Sequence, residues 1–145
     1  MKQSIKNHKR ILSKVGEITT GRFGELLIAS VTSGEIKNKT GYDISAPGYG
    51  KIEVKSRVLG TDGKWPRVTL GKTNIKEADH VAVIRFSPAY EVVAACILSI
   101  DKVKPLYSQY AQSKGTAHIP WDKFSKVSTC LKQKVENEIS SAENC

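Results

Sequence analysis

Two carboxylates and an ammonium stand at a spacing that can do chemistry: Asp43, then Glu53 and, two residues further on, Lys55. Between the carboxylates runs Ala46-Pro47-Gly48-Tyr49-Gly50, whose Pro and Gly content reads as a turn. If a hairpin is centred on Gly48, paired residues have numbers summing to about 96, and Asp43 falls opposite Glu53 on one face. Alternation along the strand places Lys55 on the face of Glu53 and turns Val54 toward the core. Two carboxylates held together repel, and Lys55 balances only one of them. A hard divalent cation, Mg²⁺ or Mn²⁺, would balance the rest by taking oxygens from Asp43, Glu53 and the Val54 carbonyl. Such an ion lowers the pKa of its water and neutralises charge on a phosphodiester, with Lys55 placed to hold or deprotonate that water. The competing reading is a solvated hairpin face on which the three charges simply meet water.

The surrounding elements must hold that face in position. Residues 20–33 carry Phe23, Leu26, Leu27 and Val31 at helical spacing and stop at Gly34, which predicts a helix bearing Glu25. An earlier helix is expected over residues 5–15. Strands are expected at 41–45 and 51–58, at 67–70, and at 80–86 and 91–100, with a short polar helix at 73–78. The last two strands are almost continuously apolar, as interior strands covered on both faces are, so helices must pack on the sheet. Residues 101–114 read equally as loop or helix. Phe124, Val127, Leu131, Val135 and Ile139 predict one amphipathic helix over about 122–140, either covering the sheet or pairing two copies. The whole is an α/β reading, a single domain over residues 1–145 with a central mixed sheet flanked by helices.

Charge is unevenly placed. Residues 1–76 hold 15 Lys and Arg against 6 Asp and Glu, whereas residues 77–145 hold 8 of each, so the net charge of +9 lies in the first half. A polyanion, most simply nucleic acid, would be drawn there through counterion release. Arg57, on the strand parity of Lys55, could contact a phosphate, and so could Lys72, Asn74 and Lys76. Trp65, Lys64 and Arg67 could form a stacking and phosphate-binding edge.

Three stretches, Gly21-Arg22-Phe23-Gly24-Glu25-Leu26-Leu27-Ile28-Ala29, then Gly41-Tyr42-Asp43-Ile44, then Lys51-Ile52-Glu53-Val54-Lys55-Ser56-Arg57, together resemble the PD-(D/E)XK, or restriction-endonuclease-like, nuclease superfamily. The resemblance rests on the order helix, strand with Asp, strand with Glu-x-Lys; Tyr42 stands where proline is usual. It implies a restriction-endonuclease-like core and a Mg²⁺- or Mn²⁺-dependent endonuclease acting on DNA. Asp43 and Glu53 match the metal-binding carboxylates, Lys55 the catalytic lysine, and Glu25 a helix carboxylate that completes the metal site. Glu17 competes with Glu25 for that last role, and Gly21 and Gly24 would let the helix approach the sheet. The rival expectation is a catalytically inactive nucleic-acid-binding or protein-interaction module of the same fold.

Other readings narrow the field. Cys96, Cys130 and Cys145 are odd in number and irregularly spaced, which suits reduced thiols rather than a disulfide framework or a zinc site. His8, His80 and His118 lack ligand spacing. No apolar run approaches the roughly 20 residues of a membrane span, and no secretory leader follows Met1, so a cytoplasmic protein without membrane contact is expected. In so small a chain, specificity would come from a homodimer or a partner protein.

Overall fold

The computed structural model describes residues 20–60, 62–64 and 66–143. The chain order is α1 (Thr20–Thr32), β1 (Glu35–Lys39), β2 (Tyr42–Ala46), β3 (Gly50–Val58), β4 (Val68–Leu70), α2 (Lys72–Glu77), β5 (His80–Phe86) and β6 (Val92–Ser99). It continues with α3 (Ile100–Tyr110), β7 (Ala117–Ile119), α4 (Trp121–Val127), β8 (Thr129–Cys130) and α5 (Lys132–Glu143). The expected helix at 5–15, together with Glu17, His8 and Trp65, lies outside the described residues.

Six strands form one mixed sheet in the order β1-β2-β3-β5-β6-β8. Among the described residues only β3 and β5 run parallel; the other pairs of this sheet are antiparallel. The hairpin expected around Gly48 forms, with Ile44 opposite Ile52 and Ala46 opposite Gly50, in the register anticipated from its turn. Gly48 and Gly50 take φ of 77° and 74° there, a region open to glycine at little steric cost.

Each face of the sheet has its own core. On one face α1, with Phe23 and Leu27, and α5, with Val135 and the preceding Leu131, cover Ile44, Ile52, Val54, Ala82, Ile84, Ala95 and Ile97. On the other, α3, α4 and the small β4–β7 sheet cover Val81, Val83, Cys96 and Leu98. Strand β5 is therefore buried on both sides, as its near-continuous apolar sequence predicts.

Several expectations need correction. The charged segment Glu-Ile-Lys-Asn-Lys is an edge strand, β1, which apolar patterning misses because most of it faces water. The strand at 67–70 leaves the main sheet and pairs with β7. Helix α1 ends through Ser33, at φ 56°, with Gly34 N–H donating back to the Ala29 carbonyl at 2.8 Å. Gly34 is needed for a different reason, since a Cβ there would lie 2.6 Å from Ile44 Cγ2. The ambiguous stretch after β6 is the helix α3, even with Pro105 inside it. The single helix expected over 122–140 is broken into α4, β8 and α5: Phe124 belongs to one core, Leu131 and Val135 to the other. A continuous helix cannot serve both faces of a sheet, so the chain crosses the edge through β8.

Of the two glycines expected to admit the helix, Gly24 does so and Gly21 does not. A Cβ on Gly24 would lie 1.8 Å from Ser56 Oγ and 3.1 Å from Ser56 Cβ, whereas Gly21 has open space around it. Ser56 Oγ is buried there without a hydrogen-bond partner. We expect Gly24→Ala to lower stability by about 1–2 kcal/mol, the clash outweighing the gain in helix propensity. In a Ser56→Ala background, itself near neutral because an unpaired buried hydroxyl is removed, the loss should shrink. Chemical denaturation of the double-mutant cycle reads the coupling; equal losses in both backgrounds would refute the close approach.

Candidate active site

The site forms at the open end of the hairpin, where β2 begins and β3 continues beyond its pairing with β2. Asp43, near the start of β2, turns its carboxylate across to β3, where Oδ2 accepts the Val54 N–H at 2.9 Å. A strand residue projects its N–H and C=O toward the same edge, so the Val54 carbonyl opens toward Asp43 as well. One residue earlier, Glu53 is 8% exposed, and its Oε2 lies 3.2 Å from Lys55 Nζ. Glu53, Lys55 and Arg57 point to the face opposite Ile52 and Val54 and stand beside Val81, Val83 and Arg85 of β5.

Helix α2 closes the site from above. Asn74 Nδ2 donates to Glu53 Oε2 at 2.6 Å and to the Gly41 carbonyl at 3.3 Å, while its Oδ1 accepts the Gly71 N–H at 3.0 Å. One amide thus ties the helix, the β1–β2 turn and the buried carboxylate together. The sequence offered Asn74 only as a phosphate contact; its role as a support for Glu53 depends on a contact across 21 residues of chain. Lys72 instead lies with its stem against Gly115, and Lys76 is exposed on the last turn of α2, so neither is brought to Glu53.

Glu25 comes from the helix on the other face and stays at the margin. Its Oε2 receives Arg22 at 3.4 Å. Asn38, with its amide turned to satisfy both neighbours, donates to Glu25 Oε1 at 3.1 Å and accepts from Arg22 at 3.1 Å. Burial raises the Glu25 pKa, and the charge of Asp43 raises it further. Asp43 acts on Glu53 in the same sense. There burial is the largest cause, a hydrogen bond to Asp43 favours the protonated form, and Lys55 opposes both, leaving Glu53 at about 7. Asp43 is therefore the carboxylate common to both glutamates.

Two arginines extend the charge. Arg57 donates to the Ser56 carbonyl at 2.8 Å and, with Lys55, Thr20, Gly21 and Pro66, lines an open cleft of about 490 Å³. Arg85, its ladder partner, is fully buried; it donates to the Pro66 carbonyl at 2.6 Å and lies 4.5 Å from the centre of the Trp121 ring. Burial first, and Arg57 second, lower its pKa to about 10. The reading from sequence missed Arg85, although a lone arginine within Val81-Ala82-Val83-Ile84-Arg85-Phe86 is the available signal. Arg67 donates instead to the His118 carbonyl at 3.4 Å, away from the carboxylates. Lys64 is exposed on the loop before β4.

As they stand, no group of three or more His, Cys, Asp or Glu side chains among the described residues converges tightly enough to hold a metal ion. Asp43 and Glu53 do converge, and their chemistry suits a hard cation that keeps several waters of its own. The sequence matches no known family model and no curated protein. No helix among the described residues is long and apolar enough to cross a membrane.

The raised Glu53 pKa gives a stability prediction. The unfolded carboxyl ionises near 4.5 and the folded one near 7, so the folded state holds its proton more tightly. The advantage is complete below pH 4.5 and is lost as pH rises toward 7. Relative to Glu53→Gln, the wild type should therefore lose up to roughly 3 kcal/mol across that window and change little above it. Urea unfolding of both proteins from pH 4.5 to 8 reads the difference, and a flat difference would show that Glu53 is not held protonated.

Proposed function

We propose that the chain is a metal-dependent nuclease of the PD-(D/E)XK type, an endonuclease hydrolysing phosphodiester bonds, most simply in DNA. The observation that carries this reading is Glu53, buried beside Asp43 and 3.2 Å from Lys55, a lysine that with Arg57 lines an open cleft. Asp43, Glu53 and the Val54 carbonyl would hold Mg²⁺ or Mn²⁺, with Glu25 adding a ligand or ordering the site. When bound, the ion supplies Lewis acidity and offsets charge on the phosphodiester. Lys55 would hold or deprotonate the attacking water, and Arg57 would orient a phosphate oxygen by paired hydrogen bonds. Asn74 holds the Glu53 carboxylate beside Lys55. A second copy or a partner protein would extend its recognition surface.

One observation favours a second reading, a binding module without catalysis. The facing oxygens of Asp43 and Glu53 are already engaged by the Val54 N–H, Asn74 and Lys55, a set of contacts complete without an ion. The two readings part at metal binding. For the nuclease, affinity for Mn²⁺ should rise about tenfold per pH unit up to pH 7, because Glu53 must lose its proton, and then level off.

The decisive assay offers linear, supercoiled, branched and single-stranded DNA, and RNA, with Mg²⁺, Mn²⁺ or EDTA. Cleavage with metal, abolished by EDTA and reduced at least about a hundredfold by Lys55→Ala and by Glu53→Ala, is the expected result. Binding without cleavage on every substrate would leave the module. Asn74→Ala, which keeps every proposed ligand, should weaken Mn²⁺ binding about 10–100-fold and cost less in kcat at saturating metal. An unchanged affinity would limit Asn74 to folding.

A further inference from the structure

Cys96 on β6 and Cys130 on β8 are direct partners in the antiparallel ladder. The next rung is set by the Leu131 N–H donating to the Ala95 carbonyl at 2.7 Å, which makes Ala95 and Leu131 a hydrogen-bonded pair. Pairs alternate along an antiparallel ladder, so Cys96 and Cys130 form a non-hydrogen-bonded pair, the closer kind, with Cα atoms about 4.5 Å apart. A disulfide spans that separation. Directly opposed side chains also share a face, so the two thiols project together rather than to opposite sides of the sheet. Both are free thiols, Cys96 buried and Cys130 exposed. Together with Trp121, Ser125 and Ser128 they line an open pocket of about 220 Å³, through which a small solute reaches them.

We propose that Cys96 and Cys130 are a reversible dithiol–disulfide pair, oxidised by peroxide and reduced by a dithiol. The exposed Cys130 reacts first: its thiolate attacks a peroxide oxygen, the O–O bond breaks, and a sulfenic acid forms as one water is released. The Cys96 sulfur then attacks the Cys130 sulfur; the S–S bond forms, the S–O bond breaks, and the departing hydroxide takes the Cys96 proton as a second water. Two thiols have lost two electrons and the peroxide has gained them. Burial, the largest effect, holds the Cys96 thiol above the usual range although a hydrogen bond with Ser128 and the charge of Arg85 lower it, which suits a resolving thiol that waits for its partner to be oxidised. With Cys130 exposed, the bond stays open to exchange with a reducing dithiol. The cross-link would pin β8, the segment that carries the chain from one face of the sheet to the other, and so fix where α5 begins.

The test treats the reduced full chain, in a Cys145→Ser background to remove the third thiol, with stoichiometric hydrogen peroxide. Remaining thiols are then alkylated and the peptides mapped without reduction. The expected result is one intramolecular cross-link between the Cys96 and Cys130 peptides, a monomeric chain on a non-reducing gel, and full return of both thiols with dithiothreitol. In Cys130→Ser, Cys96 should remain alkylatable at the same peroxide dose. The proposal is overturned if Cys130 advances to sulfinic acid while Cys96 stays free, if Cys130 links two chains, or if neither thiol reacts.

Discussion

Strand β3 lies between an antiparallel partner, β2, and a parallel one, β5, and that double pairing is the constraint on which the rest of the molecule depends. Pairing with β2 over residues 50–52 and with β5 over residues 52–58 holds the strand's alternation in register. Ile52 and Val54 are thereby committed to the core under α1, and Glu53, Lys55 and Arg57 to the opposite face. A slip of one residue would exchange the two sets, burying three charges under α1. The apolar residues of β3 thus specify where its charged residues stand.

Burying a carboxylate beside another is unfavourable unless something compensates. Here the compensation is local: Lys55 at 3.2 Å, the Asn74 amide at 2.6 Å, and a proton held up to about pH 7. The groups gathered around this carboxylate come from different parts of the chain. Asp43 depends on the hairpin, Asn74 on a short helix anchored at Gly71, and Glu25 on a helix that reaches the sheet only because Gly24 has no side chain. The same face continues into a buried arginine, Arg85, stacked on Trp121 beyond the cleft. Along β3 the carboxylate Glu53 comes first and the cations Lys55 and Arg57 follow, and it is the two cations that line the cleft.

The two cores explain how the C-terminal third is built. Phe124 and Leu131 are seven residues apart, a spacing that puts side chains on one side of a helix, yet they serve opposite faces of the sheet. Breaking the helix at β8 lets the chain cross the edge, pair with β6 as the edge strand, and return as α5 to α1, where Ser30 donates to Glu138.

Local patterns carry much of this in the sequence. The Pro-Gly turn and its register placed Asp43 opposite Glu53, alternation put Lys55 beside Glu53, and the apolar runs of β5 and β6 called for helices on both faces. These are short-range effects, decided by backbone geometry and by which residues avoid water, so neighbours in the chain suffice to express them. Tertiary structure decided what depends on contacts between distant segments: the placement of Asn74 on Glu53, the marginal position of Glu25 among Arg22 and Asn38, the pairing of β4 with β7, and the break before α5. Periodicity says that a residue is to be buried, but it carries no label for which of two cores will bury it. A polar side chain's partner is likewise set by the packing that brings it near, and no spacing along the chain encodes that.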